Sequence, residues 1–337
     1  MRYTRGVDFK ISFWVYSVGF IVLAACGCDD ALRGEDPLGS VSADSTVSRA
    51  TGIVREGLSD VEPQVRARAV EVVATVQQVE LMPEVQRLLK DDIVPVRFIS
   101  VLAVGDLKYR PAESLVGRML DDPDENVRTA AAYSLAELGS RQRLTIVRNA
   151  VKSTNQTVRA NAVVLLGKSG DRSAMELLYW AMKDKSSDDK VRFQAAEAIA
   201  KLGDENIYPK LWTLLISTYA DDRIMGIRAM AALGTSRAKG ALVTMLSDKV
   251  LEVRLAAAEQ LGMLGNTSGE LEVLDVFTKN LTAGLDAEEA ERVEVLAAMA
   301  IGQIRTVKLK KYLPRLLESR SRFVRLAAAK AVLQGVH

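Results

Sequence analysis

The sequence predicts an all-α protein, a solenoid of stacked helical hairpins, and three observations carry that prediction. Ala, Leu and Val dominate a 337-residue chain that is 48% hydrophobic, 26% charged and only 5% aromatic, which suits close-packed helices better than sheets built from aromatic and β-branched residues. The dipeptide Val-Arg recurs at 65–66, 96–97, 127–128, 158–159, 191–192, 253–254 and 324–325, and the first three intervals are each 31 residues. After the arginine, small residues fall at +3 and often +4 and an apolar one at +7, as in Ala131, Ala132 and Leu135 or Ala257, Ala258 and Leu261. Spacing by three and four places them on one stripe of a helix, where the alanines let a neighbouring helix approach closely.

A turn follows each first helix and then a second amphipathic one, for instance "PAESLVGRMLDD" or "RLTIVRNAVKS". A hairpin of this size cannot bury its own apolar face, so units must stack. Two further places fit the register with the arginine lost, Met225-Gly226 and Val293-Glu294. Residues 46–337 then hold about nine units, the last only half present. The half unit "RFVRLAAAKAVLQGVH" leaves an apolar face for which Lys330 and Gln334 are thin cover. Either that helix is itself the cap, or residues 320–337 dock on another chain.

These repeats resemble the HEAT repeat family, in the short form also found in phycobilin lyase subunits. The resemblance implies a right-handed α-solenoid, curved and roughly 80–90 Å long at about 10 Å per helix layer, with the second helices lining its concave side. It also implies a ladder of paired side chains between adjacent units. Its candidate rungs are Arg66, Arg97, Arg128, Arg159, Arg192, Arg254 and Arg325, with Asp60, Asp91, Asp122 and Asp248 each five residues before a valine or its equivalent.

The stretch "DPDEN" at 122–126 looks at first like the start of a calcium loop, but Val127 and Tyr133 stand where that loop needs glycine and a bidentate glutamate. A helix start explains it better. Asp122 is expected as the N-cap, Pro123 at the first helical position, and Asp124 and Glu125 at the positive end of the helix dipole.

The N-terminus has its own logic. Arg2, Arg5 and Lys10 precede the uncharged run "ISFWVYSVGFIVL", which is followed by Ala24 and Ala25, the order of parts in a signal peptide and too short to span a bilayer. Leu23, Ala24, Ala25 and Cys26 resemble the lipobox of bacterial lipoproteins. That resemblance implies removal of residues 1–25, lipidation of Cys26 and a place in the bacterial cell envelope, anchored on a membrane by acyl chains. Residues 26–45, rich in Gly, Asp and Ser, read as the lipidated cysteine and a flexible tether. Loss of the leader takes three cations and one anion from a net charge of +2 and leaves zero, so nothing global steers the chain to nucleic acid.

Catalytic constellations are thin. The sole histidine is His337, so there is no Ser/His/Asp or Cys/His arrangement and no histidine-based metal triad. Cys28 is the only other cysteine, which excludes a disulfide framework or a cysteine metal site. Deoxyhypusine hydroxylases, also built of HEAT repeats, need several His-Glu pairs that this chain lacks. The expectation is a protein that is not an enzyme, needs no cofactor or metal, takes no small-molecule substrate and binds protein partners. The alternative is a HEAT-repeat enzyme of the lyase or hydroxylase kind.

Aligning the second helices by their buried positions leaves a pair of outward positions per unit: Gln86-Arg87, Gly117-Arg118, Arg148-Asn149, Tyr179-Trp180 and Trp212-Thr213. Arginine, tyrosine and tryptophan are enriched at binding hot spots. A partner groove is therefore expected around Tyr179, Trp180 and Trp212, with Arg87, Arg118 and Arg148 engaging an acidic part of the ligand. The competing expectation places these aromatics in the core, and their solvent exposure decides between the two.

Overall fold

The computed structural model describes residues 37–335, with side chains from Ser45 onward. The proposed leader, Cys26 and Cys28 lie outside the described residues. In chain order the helices are α1 (Pro37–Leu58), α2 (Pro63–Thr75), α3 (Met82–Arg87), α4 (Val94–Asp106), α5 (Glu113–Arg118), α6 (Glu125–Glu137), α7 (Leu144–Ala150), α8 (Gln156–Ser169), α9 (Met175–Lys183), α10 (Asp189–Lys201), α11 (Tyr208–Leu215), α12 (Ala220–Leu233), α13 (Ser236–Thr244), α14 (Leu251–Met263), α15 (Glu270–Thr278), α16 (Ala287–Ile304), α17 (Val307–Lys310), α18 (Leu313–Leu317) and α19 (Arg322–Leu333). Among the described residues there is no strand, and no helix is long and apolar enough to cross a membrane. Helix α1 starts at Pro37, inside the segment expected to be tether.

The expected hairpins are present. Each Val-Arg helix (α2, α4, α6, α8, α10, α14, α19) starts its unit, and α12 and α16 fill the two places without the dipeptide. Most second helices are short and flanked by 3-10 turns, as α5 is by Arg110–Ala112 and Met119–Asp121. The valines of the dipeptide (Val65, Val96, Val127, Val158, Val191, Val253, Val324) and the alanines that follow are buried throughout.

The curvature differs from expectation. First helices pack on one another along the whole series, from α2 on α4 to α16 on α19, whereas second helices pack mainly on first helices. The cause is side-chain size. Adjacent first helices meet through Ala, Ser and Gly: a Cβ on Gly105 would lie 2.6 Å from the Ser134 Cα, and one on Gly167 2.9 Å from the Ala198 Cα. Second helices carry Leu, Met, Tyr and Trp, and axis spacing grows with the side chains between helices. A two-layer stack bends toward its closer-spaced layer, so the first helices form the inner wall and the second helices the outer one.

The bend is tight enough to close. Helix α19 packs on both α1 and α2. Arg322 donates to Asp60 at 2.6 Å and to Glu62 at 2.8 Å, and Arg49 donates to Glu318 at 3.0 Å. The N-terminal helix α1 thus takes the second-helix place that the last unit lacks, and two half units make a whole one. Neither expectation for the C-terminus survives: α19 is not a bare cap, and its apolar face is covered by this chain's own α1. The open stack of 80–90 Å is likewise replaced, among the described residues, by a closed ring of nine inner helices with nine outer positions.

The ladder follows the ring, with corrections. Arg66 grips Asp91 through two bonds of 2.8 and 2.9 Å, and Arg97 grips Asp122 at 2.9 and 3.1 Å. Arg223 grips Asp248 at 2.7 and 2.9 Å, which puts the arginine read as lost near Met225-Gly226 at position 223, 31 residues after Arg192. Arg159 reaches Asp184 at 3.1 Å, and Arg254 turns to Glu272 at 2.7 Å because Lys279 stands where the next acceptor would be. Arg128 reaches only the carbonyls of Asp122 and Pro123, since Ser153 replaces the acceptor. Ser217 does the same to Arg192, which turns to its neighbour Asp189 at 3.6 Å. Arg325 bonds the carbonyls of Ser319 and Arg320, and Arg322 makes the closing rung to Asp60 in its stead.

Each laddered aspartate serves its own helix as well. Asp60, Asp91, Asp122 and Asp248 accept the N–H two residues on, from Glu62, Ile93, Asp124 and Val250 at 2.8–2.9 Å. In "DPDEN" the N-cap is Asp124, not Asp122: its Oδ1 accepts from the Asn126 and Val127 N–H groups, and Pro123 lies before the helix. Burial works against the charge on Asp60, yet the Glu62 N–H and the Arg322 guanidinium hold its carboxyl below the usual range.

Candidate functional site

The side chains of the expected partner site fall on the outer helices, so the surface is a convex band instead of a groove. Its centre lies on α9, α11 and α13. Trp180 and Trp212 are 40% and 39% exposed, which removes the reading that both indoles are core. Ile216, at the end of α11, and Val243, on α13, are exposed as well. These side chains are outward because the neighbouring positions Leu178, Leu211 and Leu242 already fill the seam against the inner helices.

Cations hold the aromatic rings. The Arg159 guanidinium lies 5.1 Å from the Trp180 ring, Lys183 lies 5.4 Å from the Tyr179 ring, and Arg237 lies 3.9 Å from the Tyr208 ring. Tyr208 in turn stacks on Trp212 with centroids 6.4 Å apart. The Tyr179 hydroxyl donates to Asp204 at 3.0 Å, and burial together with that carboxylate pushes its pKa up to about 12. Tyr179 is therefore half-buried and committed to the next unit, while each indole carries one partner on its ring and stays partly exposed.

The arginines of the expected site divide. Arg148 is bound by Asp171 and Ser173, so its charge is matched within the protein. Arg87 and Arg118 are exposed on α3 and α5, at the ends of short outer helices some units away from Trp180. Arg237 and Lys183, which do flank the aromatics, were missed because they fall outside the aligned pair of positions.

The inner wall holds a second cluster that composition hid. Five residues after the ladder position the inner helices carry Glu71, Tyr133, Glu197, Arg228, Glu259 and Lys330. In a curved stack with its first helices outside these would be solvated, but ring closure turns them toward one another. Arg68 pairs with Glu71, and Lys330 approaches Glu71 at 4.0 Å. Lys168 donates to Asp106 at 2.6 Å across a spacing of two units, and Tyr133 donates to the same carboxylate at 3.0 Å. Burial raises the Glu259 pKa against the opposing pull of Lys330 and Arg228. Among the described residues no group of three His, Cys, Asp or Glu side chains is placed to hold a metal ion.

Comparison with known proteins agrees with the repeat. Two models of HEAT repeats match, one over residues 53–136 and 144–227 and the other over 240–268. The chain belongs to the HEAT repeat proteins. Similar solved structures include the CpcE–CpcF complex of phycocyanin lyase from Nostoc sp. PCC7120, at 18% identity and TM-score 0.45, covering 76% of this chain and 99% of that one. Human deoxyhypusine hydroxylase matches at 17% identity and TM-score 0.36, covering 90% and 100%. Kap121p matches at 16% identity and TM-score 0.31, covering 85% of this chain and 37% of its own. None is close enough to lend this HEAT repeat protein an activity. No curated protein matches it.

Proposed function

We propose that this HEAT repeat protein is a non-enzymatic scaffold that docks a protein partner on its outer band, held at a membrane of the bacterial envelope by a lipid on Cys26. The observation that carries the docking reading is the exposure of Trp180 and Trp212 on adjacent outer helices, with their rings fixed by stacking and by cations. Large aromatics are seldom left at a surface without use, and rigid ones bind at little entropic cost. The partner that fits is a protein segment with apolar side chains to cover the indoles and acidic ones to meet Arg237 and Lys183. Anchoring rests on the lipobox-like "LAAC" behind a charged and then apolar leader.

Crosslinking with mass spectrometry in membranes tests both parts. Captured partners should carry their crosslinks on α9 to α13 and be lost in a Trp180→Ala, Trp212→Ala double variant that melts like the parent. Cys26→Ser should move the chain out of the membrane fraction. An unchanged capture pattern in the tryptophan variant removes the docking surface, and unchanged fractionation of Cys26→Ser removes the lipid anchor.

A further inference from the structure

A recess in the inner wall, between α4, α8, α10 and α12, stands apart from the outer band. Phe98 and Leu102 form its apolar side. Gln194, Glu197 and Lys201 follow one another along one stripe of α10, and Arg228 closes the recess from α12. Its volume is about 40 Å³ and it is open on one side, so it takes the polar end of a small molecule and leaves the remainder at its mouth.

Its polar groups are incompletely paired. Gln194 is 2% exposed, and its amide Nε2 has no hydrogen-bond partner. Glu197 accepts the Arg228 N–H on Oε1 at 3.3 Å, while its buried Oε2 accepts from nothing. An orphan donor and an orphan acceptor one helical turn apart are costly unless something completes them. The ions tell the same story. Asp106 matches Lys168 and Glu197 matches Arg228, but among the described residues no carboxylate lies within 4.0 Å of Lys201.

We propose that this recess binds a small carboxylic acid with an adjacent hydroxyl or amino group. Its carboxylate meets the Lys201 ammonium and the Gln194 amide N–H, its donor meets Glu197 Oε2, and its carbon skeleton rests on Phe98 and Leu102. A simple anion would serve Lys201 and Gln194 but leave Glu197 Oε2 orphaned and face it with a like charge. Inorganic phosphate would bring up to two charges toward Glu197 and Asp106. Burial, then the neighbouring cations Lys168 and Arg228, hold the Lys201 pKa down to about 8 against the pull of Glu197 and Asp106. Tyr133 from α6 faces Lys168 and is spoken for by Asp106. A bound carboxylate favours the charged lysine, so binding takes up protons near pH 8.

Calorimetry and thermal shift on the full chain in detergent test this with lactate and glycine as probes, and acetate and inorganic phosphate for comparison. Lactate or glycine should bind saturably at millimolar concentration or below, acetate about tenfold more weakly for want of the donor. The heat at pH 8 should vary with the ionisation enthalpy of the buffer, reporting the proton. Lys201→Met and Gln194→Leu should each weaken binding at least about tenfold with the helical signal retained. Absence of saturable binding by either probe, acetate binding as tightly as lactate, or unchanged affinity in both variants overturns the proposal.

Discussion

Ring closure makes a sharp prediction at Leu326. This side chain sits at the start of α19, is 1% exposed, and its Cδ2 lies 3.2 Å from where a Cβ on Gly57 of α1 would be. In a closed ring it is a core leucine, and in an open stack it sits on a terminal helix facing water. Leu326→Ala removes three carbons at about 0.8 kcal/mol each plus a cavity contribution, about 2–5 kcal/mol in all. The open form predicts a change within about 0.5 kcal/mol, as for any exposed site. Urea unfolding followed by far-ultraviolet circular dichroism reads this as a lower midpoint with the slope kept. Arg322→Ala gives a second reading of the same seam. Its pairs with Asp60 and Glu62 are partly exposed, so the loss there is about 1 kcal/mol or less. A wild-type midpoint for Leu326→Ala would refute the closed ring.

Other outcomes follow from the same geometry. Arg223→Ala strips the partner from a nearly dry Asp248 and should cost about 3–5 kcal/mol in urea unfolding, whereas Arg128→Ala, with no carboxylate to abandon, should cost about 1 kcal/mol or less; equal losses would contradict the ladder as described. Gly167→Val should destabilise by about 1–3 kcal/mol, seen as a lower melting temperature, because its Cβ would lie 2.8 Å from the Ala198 Cβ. Lys201 sets a pH signature. With the folded pKa at about 8 and the unfolded one near 10.4, the unfolded chain binds more protons between these values. The penalty is therefore complete below about pH 8 and fades as pH rises toward 10.4, so the stability lost to this group is regained on that side. Lys201→Met should stabilise the protein at pH 7 by up to roughly 3 kcal/mol and flatten the rise between pH 8 and 10; a variant with the parent's pH profile counts against the buried ammonium.

The repeat, the all-helical class and the buried stripe were legible because each unit states them locally. Val127, Ala131, Ala132 and Leu135 show the helix face without reference to any other unit. Arg223 was legible only through the period: Asp222 replaces the valine, so a search for the dipeptide passes over it, while counting 31 from Arg192 lands on it. Closure was not legible in that way. It depends on the sum of nine small rotations, and no single unit records the sum. Its one trace is the C-terminal half unit, now α19, which the resemblance to open solenoids turned into a capping question. The inner charges were hidden for the same reason, since Glu197 or Arg228 on a helix stripe reads as solvated until the ring brings the stripes together.

Closure also fixes how the outer band stands relative to the tether. Helix α1 fills the ninth outer position, whereas Trp180 and Trp212 lie on the fourth and fifth. In a nine-membered ring of equal steps of about 40° these are about 160° and 200° away from α1. Both indoles therefore face away from α1, the helix nearest in sequence to the proposed anchor at Cys26. A partner on the indoles therefore leaves the α1 side of the ring uncovered. A pull at the proposed anchor would load the seam, passing first through α1 and its contacts with α19. The seam joins buried side chains, among them Leu326, with the ion pairs of Arg322 to the turn after α1 and of Arg49 to Glu318. A weakened seam should therefore impair partner docking only if the band itself deforms when the ring opens. Comparing crosslinks from Trp212 in Leu326→Ala with those in the parent separates a band that is shaped locally from one that depends on the ring being closed.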